Sequence, residues 1–220
     1  MIEAMLFSRE KSSGQAWNGV LPPQDENTLF RMHTFSSVAD IRDKGPNSIP
    51  VSNNNVTVGS DSLGSFMKFN GSNGYLTFAN ALLTSTSMDI TVIVGDIVYP
   101  TTSPYYFTIL DGRPQSTNGR YASFAVIQNP PFKPVTIYNG LEYISPRTVN
   151  ASEFPAVIKY QIRNGYFITS INGIEIHRVD VSNPLNTPQN WSLGKSAFSS
   201  ISGVPWLNAK VYYIDFKKVL

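Results

Sequence analysis

Glu175 and Asp180, in Glu175-Ile-His-Arg-Val-Asp180, come nearest to a hydrolytic pair in this chain. Glycoside hydrolysis needs two carboxylates flanking the scissile bond, about 5–5.5 Å apart in a retaining mechanism. The two are five positions apart, so strict strand alternation points them to opposite faces. Ser60-Asp61-Ser62-Leu63 mimics an esterase motif, Gly-Asp-Ser-Leu, with Ser where its first Gly belongs. A nucleophilic serine also needs a base, and His33 and His177 are the only histidines. A turn before a strand accounts for the motif. Gly194-Lys195-Ser196 has the end of a phosphate loop, but position 189 is Gln where that loop needs Gly, and no helix follows. His177 lies beside Glu175 and Arg178 with no second His or Cys near it, and Asp25-Glu26-Asn27 is too generic an oxygen cluster for calcium to be assigned to it. The expectation is a protein with no catalytic residues, no metal and no cofactor.

The most polar long hairpin tip is Asp111-Gly-Arg-Pro-Gln-Ser-Thr-Asn-Gly-Arg-Tyr121, with Tyr105 and Tyr106 just before it. Sugar sites combine a stacking aromatic with planar polar groups, and exposed loops carry such sites more often than strands do. If the domain binds glycan, the site is expected at Tyr105, Tyr106, Asp111, Arg113, Asn118, Arg120 and Tyr121; otherwise the tip is a solvated loop.

The elements that must position these residues are strands. Seven glycines follow an asparagine: Gly19, Gly71, Gly74, Gly119, Gly140, Gly165 and Gly173. Asn-Gly suits the two-residue type I′ hairpin, whose central positions both need φ > 0. Strand-like runs cover Leu63–Asn70, Tyr75–Ala79, Ile90–Tyr99, Tyr106–Leu110, Tyr121–Gln128 and Val135–Tyr138. Val157–Arg163, Tyr166–Ile171 and Ile174–Val179 form a predicted meander. Ile90–Tyr99 is apolar on both faces, as a central covered strand would be. In Lys210–Val219, alternation places Tyr212, Ile214 and Phe216 on one face, with Val211, Tyr213, Asp215 and Lys217 on the other. The 15 prolines exclude long helices, leaving 80–88 as one helical turn. The pattern predicts an all-β, antiparallel two-sheet sandwich or barrel in one domain.

Composition fits that frame. The 220 residues include 13 Phe, 11 Tyr and 3 Trp, ample material for a core, while charged residues make up only 15%. A net charge of +2 without a clustered basic stripe argues against nucleic acid as partner. No apolar run is long enough for a membrane helix, and no membrane partner is expected. The start, MIEAMLFSREKSSG, lacks the basic and apolar regions of a secretory signal, and no cysteine is present to form disulfides. Residues 1–27 show no persistent period. We expect them to form an N-terminal arm, either loose or ordered against a neighbouring subunit through Trp17, Leu21 and Phe30, since those apolar side chains are costly in water.

The run Gly64-Ser-Phe-Met-Lys-Phe-Asn-Gly-Ser-Asn-Gly-Tyr-Leu-Thr-Phe78 resembles the hairpin of laminin-G-like jelly rolls in the concanavalin A-like lectin/glucanase superfamily. Asp89–Val92, Tyr166–Ser170 with Ile171–Ile176, Asn190–Gly194 and Lys210–Phe216 follow in the order of such domains, over 28–220. Asn70 stands where many members carry Asp. The Glu-x-Asp-x-x-Glu strand of the superfamily's retaining glucanases is absent. The ending Val-Tyr-Tyr-Ile-Asp-Phe-Lys-Lys-Val-Leu is most similar to stand-alone versions in tailed bacteriophages. The resemblance implies a jelly-roll sandwich over 28–220, fixed by its arm as a non-catalytic virion protein such as a capsid decoration, with other virion proteins or copies of itself as partners. It leaves two alternatives: an adhesin of tail or head fibre type binding host-surface glycan, and an atypical polysaccharide hydrolase.

Overall fold

The structure, a computed structural model, describes residues 15–78, 87–98, 106–112, 123–127, 133–138, 141–163, 165–180, 190–195 and 206–219. Two antiparallel sheets form a sandwich. The first holds β1 (Thr28–His33), β3 (Thr57–Asp61), β4 (Gly64–Asn70), β6 (Met88–Gly95), β11 (Ala156–Arg163), β12 (Tyr166–Ile171), β13 (Ile174–Asp180) and β15 (Asn208–Lys218). Its order is β13-β12-β11-β6-β15-β4-β3, with β1 also paired to β15. The second holds β2 (Val51–Asn54), β5 (Tyr75–Phe78), β7 (Tyr106–Asp111), β8 (Ser123–Ile127), β9 (Lys133–Tyr138), β10 (Leu141–Ile144) and β14 (Trp191–Leu193), in the order β10-β9-β8-β7-β14-β5-β2. The described helical turns are two short 3-10 segments, Val38–Asp40 and Ala151–Glu153. Most of the helical turn expected at 80–88 lies outside the described residues, and Met88 opens β6.

Alternation builds the core where it is regular. Ile158, Tyr160 and Ile162 of β11 are buried between the sheets while Val157, Lys159, Gln161 and Arg163 face out. The meander β11-β12-β13 follows from its turns. At the second, Asn172 has φ 48 and Gly173 φ 77, the left-handed pair that a type I′ hairpin requires. An aromatic knot ties the sheets together. Phe30 and Phe216 come from the first sheet, Phe78 and Trp191 from the second, and their ring centroids lie 4.8–5.9 Å apart in four pairs. Such contacts add about 0.5–1.5 kcal/mol each beyond the area they bury.

Three sequence expectations change here. Residues 70–74 do not close a hairpin within one sheet: β4 pairs with β3 and β15, whereas β5 pairs with β2 and β14. The segment is an arch from one sheet to the other. Strict alternation in β15 also fails, because a bulge interrupts its pairing with β6 between Val211 and Tyr213. Val211, Ile214 and Phe216 enter the inter-sheet core, and Tyr212 joins Tyr213 in a separate outer cluster.

The third correction concerns Trp17, Leu21 and Phe30. All three pack against other residues of this chain, Leu21 remaining half-buried. Phe30 sits in β1 at the centre of the core. Trp17 packs on the outer face of the first sheet with Phe66, Ile93, Tyr212 and Tyr213, and Leu21 rests against the same cluster. Its ring lies 5.0 Å from that of Tyr212. Its amide donates to the Pro155 carbonyl at 2.7 Å, and its indole N–H to the Val20 carbonyl at 2.6 Å. Arg31 donates to the Pro22 carbonyl, and Lys217 to the Pro23 carbonyl and the Asp25 carboxylate. Residues 15–27 thus form a strap across their own sheet. It covers the outer side of Ile93, which explains why β6 is buried on both faces.

Candidate functional site

The loop expected to bind sugar falls mostly outside the described residues: Tyr105, Arg113, Asn118, Arg120 and Tyr121 are not among them. Tyr106 opens β7, where its backbone pairs with Ile127. Asp111 is not at a loop tip. It closes β7 between Ser123 of β8 and Ser192 of β14, with its side chain fully buried, which withdraws its carboxylate from any exposed sugar platform.

The candidate chemistry read from sequence is taken up by structure. A second bulge, between Thr169 and Ser170 in the register of β12 with β13, breaks alternation and leaves both Glu175 and Asp180 exposed. The opposite-face argument therefore fails, but five strand residues still span roughly 16 Å, far beyond a retaining pair. Glu175 is also clamped by Arg178, whose Nε and Nη2 donate to its two oxygens at 3.0 and 2.9 Å. That pairing holds the Glu175 carboxyl below its ordinary range. The Asp61 carboxylate accepts from Lys210 Nζ at 2.7 Å, the Tyr212 hydroxyl at 2.8 Å and the Leu63 amide at 3.0 Å. Burial pulls its pKa up, and these partners together outweigh burial and bring it down. His33 contacts the Thr34 hydroxyl at 2.8 Å, and His177 stands edge-on to Tyr143. Desolvation lowers the pKa of both, with Arg31 and Lys44 adding to the effect at His33. Among the described residues no three His, Cys, Asp or Glu side chains could hold a metal ion.

A different constellation assembles at one end of the sandwich, where the β4–β5 arch, the exit of β14 and the entry to β15 meet. Three backbone hydrogen bonds fix it: Gly194 N–H to the Ile109 carbonyl at 2.8 Å, Leu207 N–H to the Gly194 carbonyl at 3.0 Å, and Gly71 N–H to the Leu207 carbonyl at 3.0 Å. Gly194 has φ 87, and a Cβ there would fall 2.5 Å from Phe69 Cδ1, so only glycine fits this crossing. The arch is held by Asn70, whose Oδ1 accepts from the amides of Ser72, Asn73 and Gly74, each at 3.0 Å. Asn70 Nδ2 also donates to Asn73 Oδ1 at 2.7 Å.

This frame brings together Tyr75, Trp206 and Lys195. The two rings lie 5.2 Å apart at 54°, and the Lys195 ammonium is 4.6 Å from the Tyr75 centroid and 5.1 Å from that of Trp206. All three side chains are half-buried, with Ser72 and Asn73 exposed beside them and Asn208 half-buried. Two electron-rich rings, a cation and amide groups in one partly open place can take the C–H face of a sugar while bonding its oxygens. Sequence reasoning missed all three residues, because turn chemistry was read at 111–121 while this cluster is made by segments distant in the chain. The available signal was an isolated Trp206 following Gly203 and Pro205.

No protein-family description matches the chain, and no curated protein matches it. Solved structures do. Domain 4 of AbnA, a GH43 extracellular arabinanase from Geobacillus stearothermophilus, in complex with arabinotriose, superposes with a TM-score of 0.63 at 12% identity, over 87% of this chain and 92% of that one. The botulinum neurotoxin serotype D/C VPI 5993 binding domain gives 0.63 at 13% identity, over 88% of this chain and 50% of that one. A botulinum neurotoxin type C structure, described as dependent on two ganglioside molecules for cell entry, gives 0.62 at 12% identity, over 88% and 49%. The chain spans about half the length of the neurotoxin chains. At such identities the likeness is one of fold, an antiparallel jelly-roll-like β-sandwich.

Proposed function

We propose that this chain is a non-catalytic carbohydrate-binding module whose platform is Tyr75, Trp206 and Lys195. The observation that carries the reading is the tilted Tyr75–Trp206 pair, half-exposed beside Lys195 and the exposed end of the Asn70 arch. Its fold likeness to a domain holding arabinotriose agrees with it. The test is a glycan array followed by calorimetry on the best ligand. Trp206→Ala should weaken that ligand at least about tenfold, as expected for losing one stacking ring. No glycan binding above background, or equal binding by the variant, would sink the reading.

For the setting, the resemblance of the closing strand Lys210–Phe216 to bacteriophage proteins supports a place on a tailed-phage virion, as a capsid decoration or a host-recognising fibre module. With the strap folded onto its own sheet, attachment would fall to other surfaces or to residues before 15. Mass spectrometry of purified particles should find the chain, and its absence from them would remove this part of the proposal.

A further inference from the structure

We infer that the glycan taken by this platform is acidic, carrying a carboxylate or a sulfate that Lys195 binds. The inference rests on the carbohydrate-binding reading above and names the ligand class of the same site.

Among the described lysines three are held in ion pairs, Lys44, Lys68, Lys133, Lys195 and Lys218 are in none, and Lys195 is set over two aromatic faces. Lys159 pairs with Asp89 at 2.8 Å, Lys210 with Asp61 and Asp96 at 2.7 and 2.6 Å, and Lys217 with Asp25 at 2.7 Å. Among the described residues, Lys195 has no carboxylate within 4.0 Å, and its ammonium rests instead on the faces of Tyr75 and Trp206. The segments that build the site contain no acidic residue at all: 64–78, 190–195 and 206–209 are free of Asp and Glu. The group holding the arch is Asn70, a neutral amide that brings no negative charge. Among the described residues Lys195 is thus a half-buried positive charge with no carboxylate within 4.0 Å, and partial burial strengthens any pairing made there.

The ring faces also explain how the ligand would enter. A cation over an aromatic ring is held weakly when water reaches it, so the Lys195 chain can swing off the rings at small cost. The freed faces take the C–H side of the sugar, and the ammonium moves to the rim, where it meets an anionic substituent in a charge-assisted hydrogen bond. A neutral sugar would displace the same cation without giving it a counter-charge.

Calorimetry on the whole chain with three probes separates the possibilities: a uronic acid trisaccharide, its carboxyl-reduced neutral counterpart, and a sulfated trisaccharide. Wild type should bind at least one acidic probe about tenfold more tightly than the neutral one, and whichever acid binds identifies the anion. Raising the salt to about 1 M should erase most of that preference by screening. Lys195→Gln should abolish the acidic preference, with a loss about tenfold larger for the acidic probe than for the neutral one, and Lys195→Arg should keep the preference. Equal wild-type affinity for acidic and neutral probes, or equal loss of both in Lys195→Gln, overturns the inference while the platform reading survives. Failure of every glycan to bind, or no effect of Trp206→Ala, overturns the platform itself.

Discussion

The carboxyl of Asp215 is fully buried, opposite Arg31 in the register of β1 with β15, and accepts the Tyr213 hydroxyl at 2.7 Å. Burial pushes its pKa above the ordinary 3.8, and Tyr213, Thr91, Lys217 and Arg31 pull it down without offsetting that cost. A raised folded-state value means the ionised form opposes folding. The cost is therefore full at neutral pH, shrinks as pH falls through the raised value, and vanishes below about 3.8, where both states are protonated. Asp215→Asn keeps an acceptor for Tyr213 and removes the charge. Its melting temperature should exceed that of wild type at pH 7, and the gap should close as the pH approaches 4. A lower melting temperature for the variant at pH 7 would show that the ionised carboxylate is stabilising. At this scale alternation already put Tyr213 and Asp215 on one face, and what the sequence did not show is that this face is buried.

At the scale of elements, the strap and the arch show how far local rules reach. Asn172-Gly173 sets a hairpin because both its residues take left-handed φ, a property readable from two letters. The arch at 70–74 has equally good turn chemistry, yet its strands go to different sheets, which depends on partners far away in sequence. The strap shows the same limit. Trp17 looks like an orphan until β15 bulges and offers Tyr212, with Phe66 and Ile93 alongside. Trp17→Ala should cost about 3 kcal/mol, the usual loss for a large buried aromatic, read as a drop in the denaturation midpoint. If Trp17 served a partner instead, monomer stability would stay unchanged and the oligomeric state would shift.

For the molecule as a whole, β15 is the organising strand. β6 runs along one side of it, while β4 takes the first part of the other side and β1 the last part. Phe216 then carries it into the knot that joins both sheets. Three of the first sheet's long-range strand pairs, those with β1, β4 and β6, pass through this one strand, and the fourth joins β6 to β11. Ending the chain before Asn208 should therefore abolish folding rather than fray one edge, leaving insoluble protein or a loss of the near-ultraviolet dichroism. A soluble truncated chain with a cooperative transition would contradict this. The intact chain should unfold in one step with matching calorimetric and van't Hoff enthalpies, since one core spans both sheets.

By itself the sequence determined the all-β class, the meander at 156–180 and the inward face of β11, because hairpin turns and period-two alternation are local properties of neighbouring residues. The tertiary structure alone decided the rest. It placed 70–74 between sheets, folded Trp17 onto its own domain, buried Asp111, and brought Tyr75, Lys195 and Trp206 together. The physical reason is common to all four. Each depends on which strands pair across long stretches of chain and on bulges that shift a strand's faces by one residue, and neither leaves a local mark.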